Sequence, residues 1–192
     1  MWLVVGLGNP GDEYAGTRHN AGFRLVDRLA QAWGVALRGR LFKSRTATAR
    51  RGGEDVLLVE PQTFMNRSGT AVRAALEGKA VGPERLIVVY DDLEIPLGEI
   101  RVRKSGRPGT HKGMISISGE IGTAAFPRVR IGIGPLAAGR DAADFVLEAF
   151  RRNERADLES GLEQAAEAVE MILDGGIERA MTRFNKRVAA AA

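Results

Sequence analysis

A single α/β domain, built as three layers around a mixed and largely parallel central sheet, is predicted by three features of this sequence. Short apolar runs without polar alternation recur along the chain, as in strands buried on both faces. Segments with helical apolar spacing lie between and after them. The length of 192 residues suffices for one sizeable core but not for two ordinary ones. We therefore expect one domain spanning residues 1–192, with no internal repeat, low-complexity tract or linker.

The elements follow in order. Trp2-Leu-Val-Val is the first apolar run, and Asn20 is placed to cap a helix with Phe23, Val26, Leu29, Ala30 and Trp33 on one face, stopped by Gly34. Asp55-Val-Leu-Leu-Val-Glu60 is the second run. A helix after Asn66 buries Val72, Ala75 and Leu76 and ends at Gly78. Leu86-Ile-Val-Val-Tyr90 is the third run, and the glycine-rich stretch from Ser105 to Gly113 reads as a loop. Arg128-Val-Arg-Ile-Gly-Ile133 alternates, so its apolar residues face a core and Arg128 and Arg130 face away, as candidates for a ligand surface. Two amphipathic helices close the chain, one with Leu158, Leu162, Ala165, Val169 and Ile172, the other with Ile177, Ala180, Met181, Phe184 and Val188, separated by Gly175-Gly176.

Composition narrows the function. The chain has no cysteine and only two histidines, distant in sequence, so disulfides and a thiolate zinc site are excluded and no metal site is expected. No apolar stretch approaches the roughly 20 residues that span a bilayer, and the opening strand is not preceded by a basic leader. The expectation is a cytoplasmic protein without a membrane partner. Net charge is +4, unevenly placed. Six basic residues and no acidic one lie between 38 and 51, and Arg101, Arg103, Lys104 and Arg107 form a second run. The stretch from 154 to 178 carries eight acidic side chains against Arg155. One positive face, suited to a polyanion, is the expected result. With no large spare apolar face evident, a monomer is expected.

In open α/β sheets the ligand site lies beyond the carboxyl ends of the strands. Asn9 follows the first strand, Phe64 to Asn66 the second and Asp91-Asp92 the third, while His19 precedes the first helix. These residues form a candidate crevice with a histidine able to transfer protons near neutral pH. Asn66 as a mere helix cap, and Asp91 and Asn9 as turn formers, are the competing structural readings. Gly6-Leu-Gly8-Asn-Pro-Gly11 fits the dinucleotide pattern, but Pro10 to Tyr14 reads as a loop rather than a helix start, and no acidic residue ends the second strand at the usual distance. We read these glycines as admitting close backbone approach, and expect no cofactor.

Val5-Gly-Leu-Gly-Asn9-Pro-Gly with Tyr14 and Thr17-Arg-His19-Asn-Ala-Gly resembles the opening of bacterial-type peptidyl-tRNA hydrolases. Pro61-Gln-Thr-Phe64-Met-Asn66-Arg-Ser-Gly, Tyr90-Asp91-Asp-Leu-Glu-Ile-Pro, and Arg128-Val-Arg130-Ile-Gly with Phe145-Val-Leu resemble later signatures of that family, in order along nearly the whole chain. The resemblance implies hydrolysis of the ester joining a peptide to the terminal ribose of tRNA, freeing tRNA for reuse. It implies His19 as the base that activates water and Asp91 as the acid that orients it. Asn9 and Asn66 would position peptide, ester and water, Tyr14 and Phe64 would form walls, and Arg103 and Arg130 would clamp the tRNA acceptor end. Where the family commonly has Gly-Gly-His-Asn-Gly, this chain reads Gly109-Thr110-His111-Lys112-Gly113. Lys112 therefore replaces an asparagine that usually contacts substrate and is expected to bind it, with Lys112 turned to solvent as the competing reading, while His111 is expected to be structural. A noncatalytic RNA-binding relative of the same fold, and a nucleotide-cofactor enzyme built on Gly6 to Gly11, are the alternatives.

Overall fold

In the computed structural model, which describes residues 1–185, the chain folds as a seven-stranded sheet between two helical layers. The order of elements is β1 (Trp2–Gly6), α1 (Asp12–Ala15), α2 (Ala21–Ala32), β2 (Gly39–Leu41), β3 (Ser44–Arg51), β4 (Glu54–Pro61), α3 (Ser68–Lys79), β5 (Leu86–Pro96), β6 (Ile100–Arg103), α4 (Lys112–Ile121), β7 (Arg128–Gly134), α5 (Ala142–Val146), α6 (Arg155–Leu173) and α7 (Ile177–Phe184). Val188, expected in the last helix, lies outside the described residues.

The strand order is β2-β3-β4-β1-β5-β7-β6. β4, β1, β5 and β7 are parallel, while β2, β3 and β6 add antiparallel edges. The central strands are apolar on both faces because both are covered. Val4, Ile87 and Val89 pack with α2 and α6, and Leu3, Val5, Leu86 and Val88 with α3 and α4. The layers come close where glycine permits. A Cβ on Gly22 would stand 2.4 Å from the Leu7 nitrogen and 2.5 Å from the Val89 oxygen, and one on Gly6 would stand 2.2 Å from the Gly22 oxygen. The Gly6-to-Gly11 pattern thus admits the protein's own helix α2, whose preceding turn is pressed against the ends of β1 and β5.

Several details differ from the sequence reading. Residues 12–15 form one helical turn rather than a continuous loop. Asn20 occupies the N-cap position of α2 without capping it, because its amide is engaged with Asn9. Helix α3 starts at Ser68, beyond Asn66, and continues past Gly78 to Ala80 in the left-handed conformation. Gly78 leaves room for Phe42, whose ring a Cβ there would meet at 2.3 Å. Strand β5 runs on to Pro96, so Asp91 and Asp92 lie within it, next to a register shift against β7. The two basic runs do not make one face. The first occupies β2 and β3 and the second begins on β6, at opposite edges of the sheet, and Arg45, Arg50 and Arg51 are paired with Glu60, Asp55 and Glu170.

One pairing is unusual. Glu60, at the end of β4, is fully buried; its Oε2 accepts from Arg45 at 2.8 Å, and Oε1 has no partner among the described residues. Burial pushes this carboxyl up to about 8, the Asp27 carboxylate adds to the rise, and Arg45 opposes it. The folded state therefore holds the Glu60 proton to higher pH than the unfolded chain, whose carboxyl titrates near 4.5, and stability is lost as pH rises between those values. In Glu60→Gln this loss should be absent. Melting temperatures across that range should diverge in the variant's favour toward alkaline pH, and a constant difference between variant and parent would contradict the burial argument.

Candidate active site

The carboxyl ends of β1, β4 and β5 open into a cavity of about 700 Å³. Asn9, His19, Phe64, Asn66, Asp91, Arg103, Lys112 and Arg130 all line it. Tyr14 does not, but its ring meets that of Phe64 edge to face at 6.5 Å and so supports the cavity wall.

At the base of the cavity Asp91 is 2% exposed and accepts from two histidines. His19 Nδ1 lies 2.9 and 3.0 Å from its two oxygens, and His111 Nε2 lies 3.0 Å from Oδ1. The two imidazoles arrive from opposite layers of the fold. His19 sits in the turn before α2, and His111 is the N-cap of α4, where its Nδ1 accepts from the Met114 amide at 3.4 Å. That amide fixes the His111 tautomer, so Nε2 carries the hydrogen that it donates to Asp91. Burial alone would push the Asp91 carboxyl up, but the electrostatic attraction of the His19 and His111 rings, with their hydrogen bonds, holds it well below the usual carboxylate range. An ionised Asp91 in turn keeps the His19 hydrogen on Nδ1 and leaves Nε2 with a lone pair.

The histidines, distant in sequence, are therefore neighbours, their ring centroids 5.0 Å apart. His19, Asp91 and His111 offer three donor atoms within 4.8 Å of one another. Distance in sequence therefore does not by itself keep an ion out, but the hydrogen bonding opposes one: an ion on His111 Nε2 would require its hydrogen to move to Nδ1, where it would confront the Met114 N–H. His111 thus belongs to the site as well as capping α4, and the sequence signal for it was its rarity, one of only two histidines in the chain.

Asn9 is fixed from three sides. Its N–H donates to Asn20 Oδ1 at 2.9 Å, its carbonyl accepts from Asn20 Nδ2 at 3.0 Å, and its own Oδ1 accepts from the Met65 amide at 2.8 Å. The acceptor end of the Asn9 amide is therefore engaged inside the protein, and Nδ2 remains as a donor to the cavity. Asn66 is exposed on the cavity wall with its amide free of bonds among the described residues.

The arginines divide into two kinds. Arg128, expected at a ligand surface, is 1% exposed. It donates to the carbonyls of Gly106 at 2.8 Å and Ala124 at 2.6 Å, pinning the glycine-rich loop to the start of β7. Arg130 faces the cavity but is held by Asp92 at 2.6 Å and Glu94 at 3.4 Å. Arg103, Arg107 and Lys112 are exposed and have no ion-pair partner among the described residues. Lys112 opens α4 at the cavity rim.

A carboxylate-oriented imidazole, a fixed amide donor and unpaired cations around one cavity suit hydrolysis of an acyl bond in a polyanionic substrate. The family model of peptidyl-tRNA hydrolases matches residues 3–191. The peptidyl-tRNA hydrolase of Chloroflexus aggregans is 49% identical over 186 residues, covering 96% of this chain and 99% of the relative. That of Carboxydothermus hydrogenoformans is 49% identical, covering 97% and 99%. The crystal structure of the Acinetobacter baumannii peptidyl-tRNA hydrolase superposes with a TM-score of 0.90 at 35% identity, covering 96% of this chain and 94% of that one.

Replacing Asp91 by Asn should preserve the shape of the site while removing the charge that fixes the His19 tautomer. A loss of kcat of about 10²–10⁴-fold, with substrate affinity largely kept, is expected by analogy with the orienting acid of a catalytic triad. Kinetics of the purified variant check this, and an unchanged kcat would remove Asp91 from the mechanism.

Proposed function

This chain belongs to the peptidyl-tRNA hydrolase family and hydrolyses peptidyl-tRNA, and we propose that it does so by direct attack of a water deprotonated by His19. The observation that carries this assignment of roles is the pairing of His19 Nδ1 with the buried Asp91 carboxylate, at 2.9 Å, which leaves Nε2 as the proton acceptor at the cavity.

The peptide ester carbonyl lies over Asn9 and Asn66. Water attacks its carbon while Nε2 of His19 takes the water proton, a contribution of about 10²–10⁴-fold. Asp91 stabilises the imidazolium that forms. Asn9 Nδ2 donates to the developing oxyanion, held in place by the bond from Met65 to its Oδ1. When the tetrahedral intermediate collapses, the imidazolium returns its proton to the departing ribose oxygen, giving a free peptide carboxyl group and tRNA. His111, touching Asp91 but not the reacting atoms, positions the carboxylate.

Phe64, supported by Tyr14, offers an apolar wall to the peptide and terminal nucleotide. Arg103, Arg130 and Lys112 receive phosphates of the acceptor end. Arg103 and Lys112 have no carboxylate partner among the described residues, whereas Arg130 is shared with Asp92. Lys112 offers a point charge where the family resemblance implies an amide. We further propose that the protein acts as a monomer in the cytoplasm. No helix among the described residues is long and apolar enough to cross a membrane.

Release of a labelled N-acetylaminoacyl group from tRNA tests these roles. His19→Ala should abolish turnover while still binding substrate, and a variant that retains parental kcat would end the case for His19 as base. In the same assay Arg103→Gln should raise KM and reduce the salt dependence of log(kcat/KM) by about one, since one phosphate contact fewer releases its counterion. An unchanged slope would take Arg103 out of the tRNA surface.

A further inference from the structure

The turn that carries His19 is held from behind by a buried cation. Arg18 is 1% exposed, and its guanidinium lies over the rings of Phe145 and Phe150, 4.5 and 4.9 Å from their centroids. Its Nη2 donates to both oxygens of Glu154 at 2.9 and 2.8 Å, and Glu154 also accepts from the Arg151 amide at 2.7 Å. Nε and Nη1 of Arg18 have no partner among the described residues. The backbone adds two ties to the same segment: the Arg18 N–H donates to the Glu148 carbonyl at 3.0 Å, and Thr17 forms an antiparallel bridge with Ala149.

A buried charge with two unsatisfied nitrogens is a poor device for stability alone, since an apolar side chain of similar volume fills such a space without the desolvation cost. What the arrangement does supply is direction. It joins three things: the residue adjacent to the base, the start of α6 through Glu154, and the segment whose Val146 and Leu147 line the cavity. We propose that Arg18 is a positioning residue, which through Glu154, Phe145 and Phe150 sets the His19 ring against Asp91 and registers the cavity wall at Val146 and Leu147 to it. The inference rests on His19 being the base.

The test measures kcat and KM for the parent, His19→Ala, Arg18→Met, Arg18→Lys and Glu154→Gln on N-acetylaminoacyl-tRNA. Methionine fills the space between the rings without burying a charge, and Glu154 is partly exposed and can be hydrated. Arg18→Met should lower kcat roughly 10–10²-fold, the cost of a small misplacement of a catalytic group, with KM near the parental value. Arg18→Lys, which keeps the cation, should recover part of the loss. Parental kcat in a folded Arg18→Met, or a loss confined to KM, overturns the proposal. If Arg18→Met fails to fold, Glu154→Gln decides in the same way, since it keeps one acceptor for Nη2 and breaks the two-oxygen clamp. Parental kcat in His19→Ala would instead overturn the role of the base, independently of what the Arg18 variants do.

Discussion

A carboxylate shut away from water requires hydrogen-bond donors, and Asp91 finds them in imidazoles from the two helical layers of the fold. That requirement organises the site. The His19 turn must reach β5, which it does because Gly6 and Gly22 let α2 settle on the strand ends. Helix α4 must begin where its N-cap histidine can reach the same carboxylate, and Arg128 holds the preceding loop at Gly106. An unpaired buried charge is strongly destabilising, so the network constrains both ring orientations as well as the charge itself. Its chemical consequence is a base with a single available nitrogen.

The core was readable in the sequence because its strands are apolar throughout and its larger helices are amphipathic. The candidate site was legible as a cluster because Asn9 and Asn66 follow the first two apolar runs, Asp91 follows the third and His19 precedes the first helix, and all four line one cavity. What escaped was structure maintained by tertiary contacts. Helix α4, with Gly113, Gly119 and three isoleucines, has weak intrinsic helix propensity, and it is held by packing of Met114 and Ile117 against the sheet. Strand β3 reads Ser-Arg-Thr-Ala-Thr-Ala-Arg-Arg, with few of the large apolar residues that mark a strand, and appeared only as part of a basic run. Asn20 looked like a helix cap because asparagine usually is one in that place, yet here two side-chain bonds to Asn9 compete successfully. The meeting of His19 and His111 follows from three-dimensional proximity, which no spacing of residues 19 and 111 could disclose.

Charge in this protein is organised by pairing more than by number. On β3, Arg50 and Arg51 are paired with Asp55 and Glu170, and much of the acidic stretch at the C-terminal end is engaged likewise, Glu159 with Arg28, Glu167 with Arg183 and Glu170 with Arg51. Around the cavity the balance is different. Arg128 is committed to backbone carbonyls and Arg130 is shared with Asp92 and Glu94, whereas Arg103, Arg107 and Lys112 are exposed without a carboxylate partner among the described residues. A phosphate chain arriving there meets cations that need not first give up another partner. Counting basic residues along the sequence could not separate these two populations.

The proposed mechanism requires that Asp91 hold His19 in a single tautomer with its free nitrogen at the cavity. Nitrogen-15 NMR of the imidazole rings in the resting enzyme near neutral pH tests it most directly. His19 should carry its hydrogen on Nδ1, with Nε2 showing the shift of an unprotonated, pyridine-like nitrogen, and this pattern should be lost in Asp91→Asn. A His19 protonated on Nε2 in the resting enzyme would have no lone pair to offer the water and would rule out its role as the base.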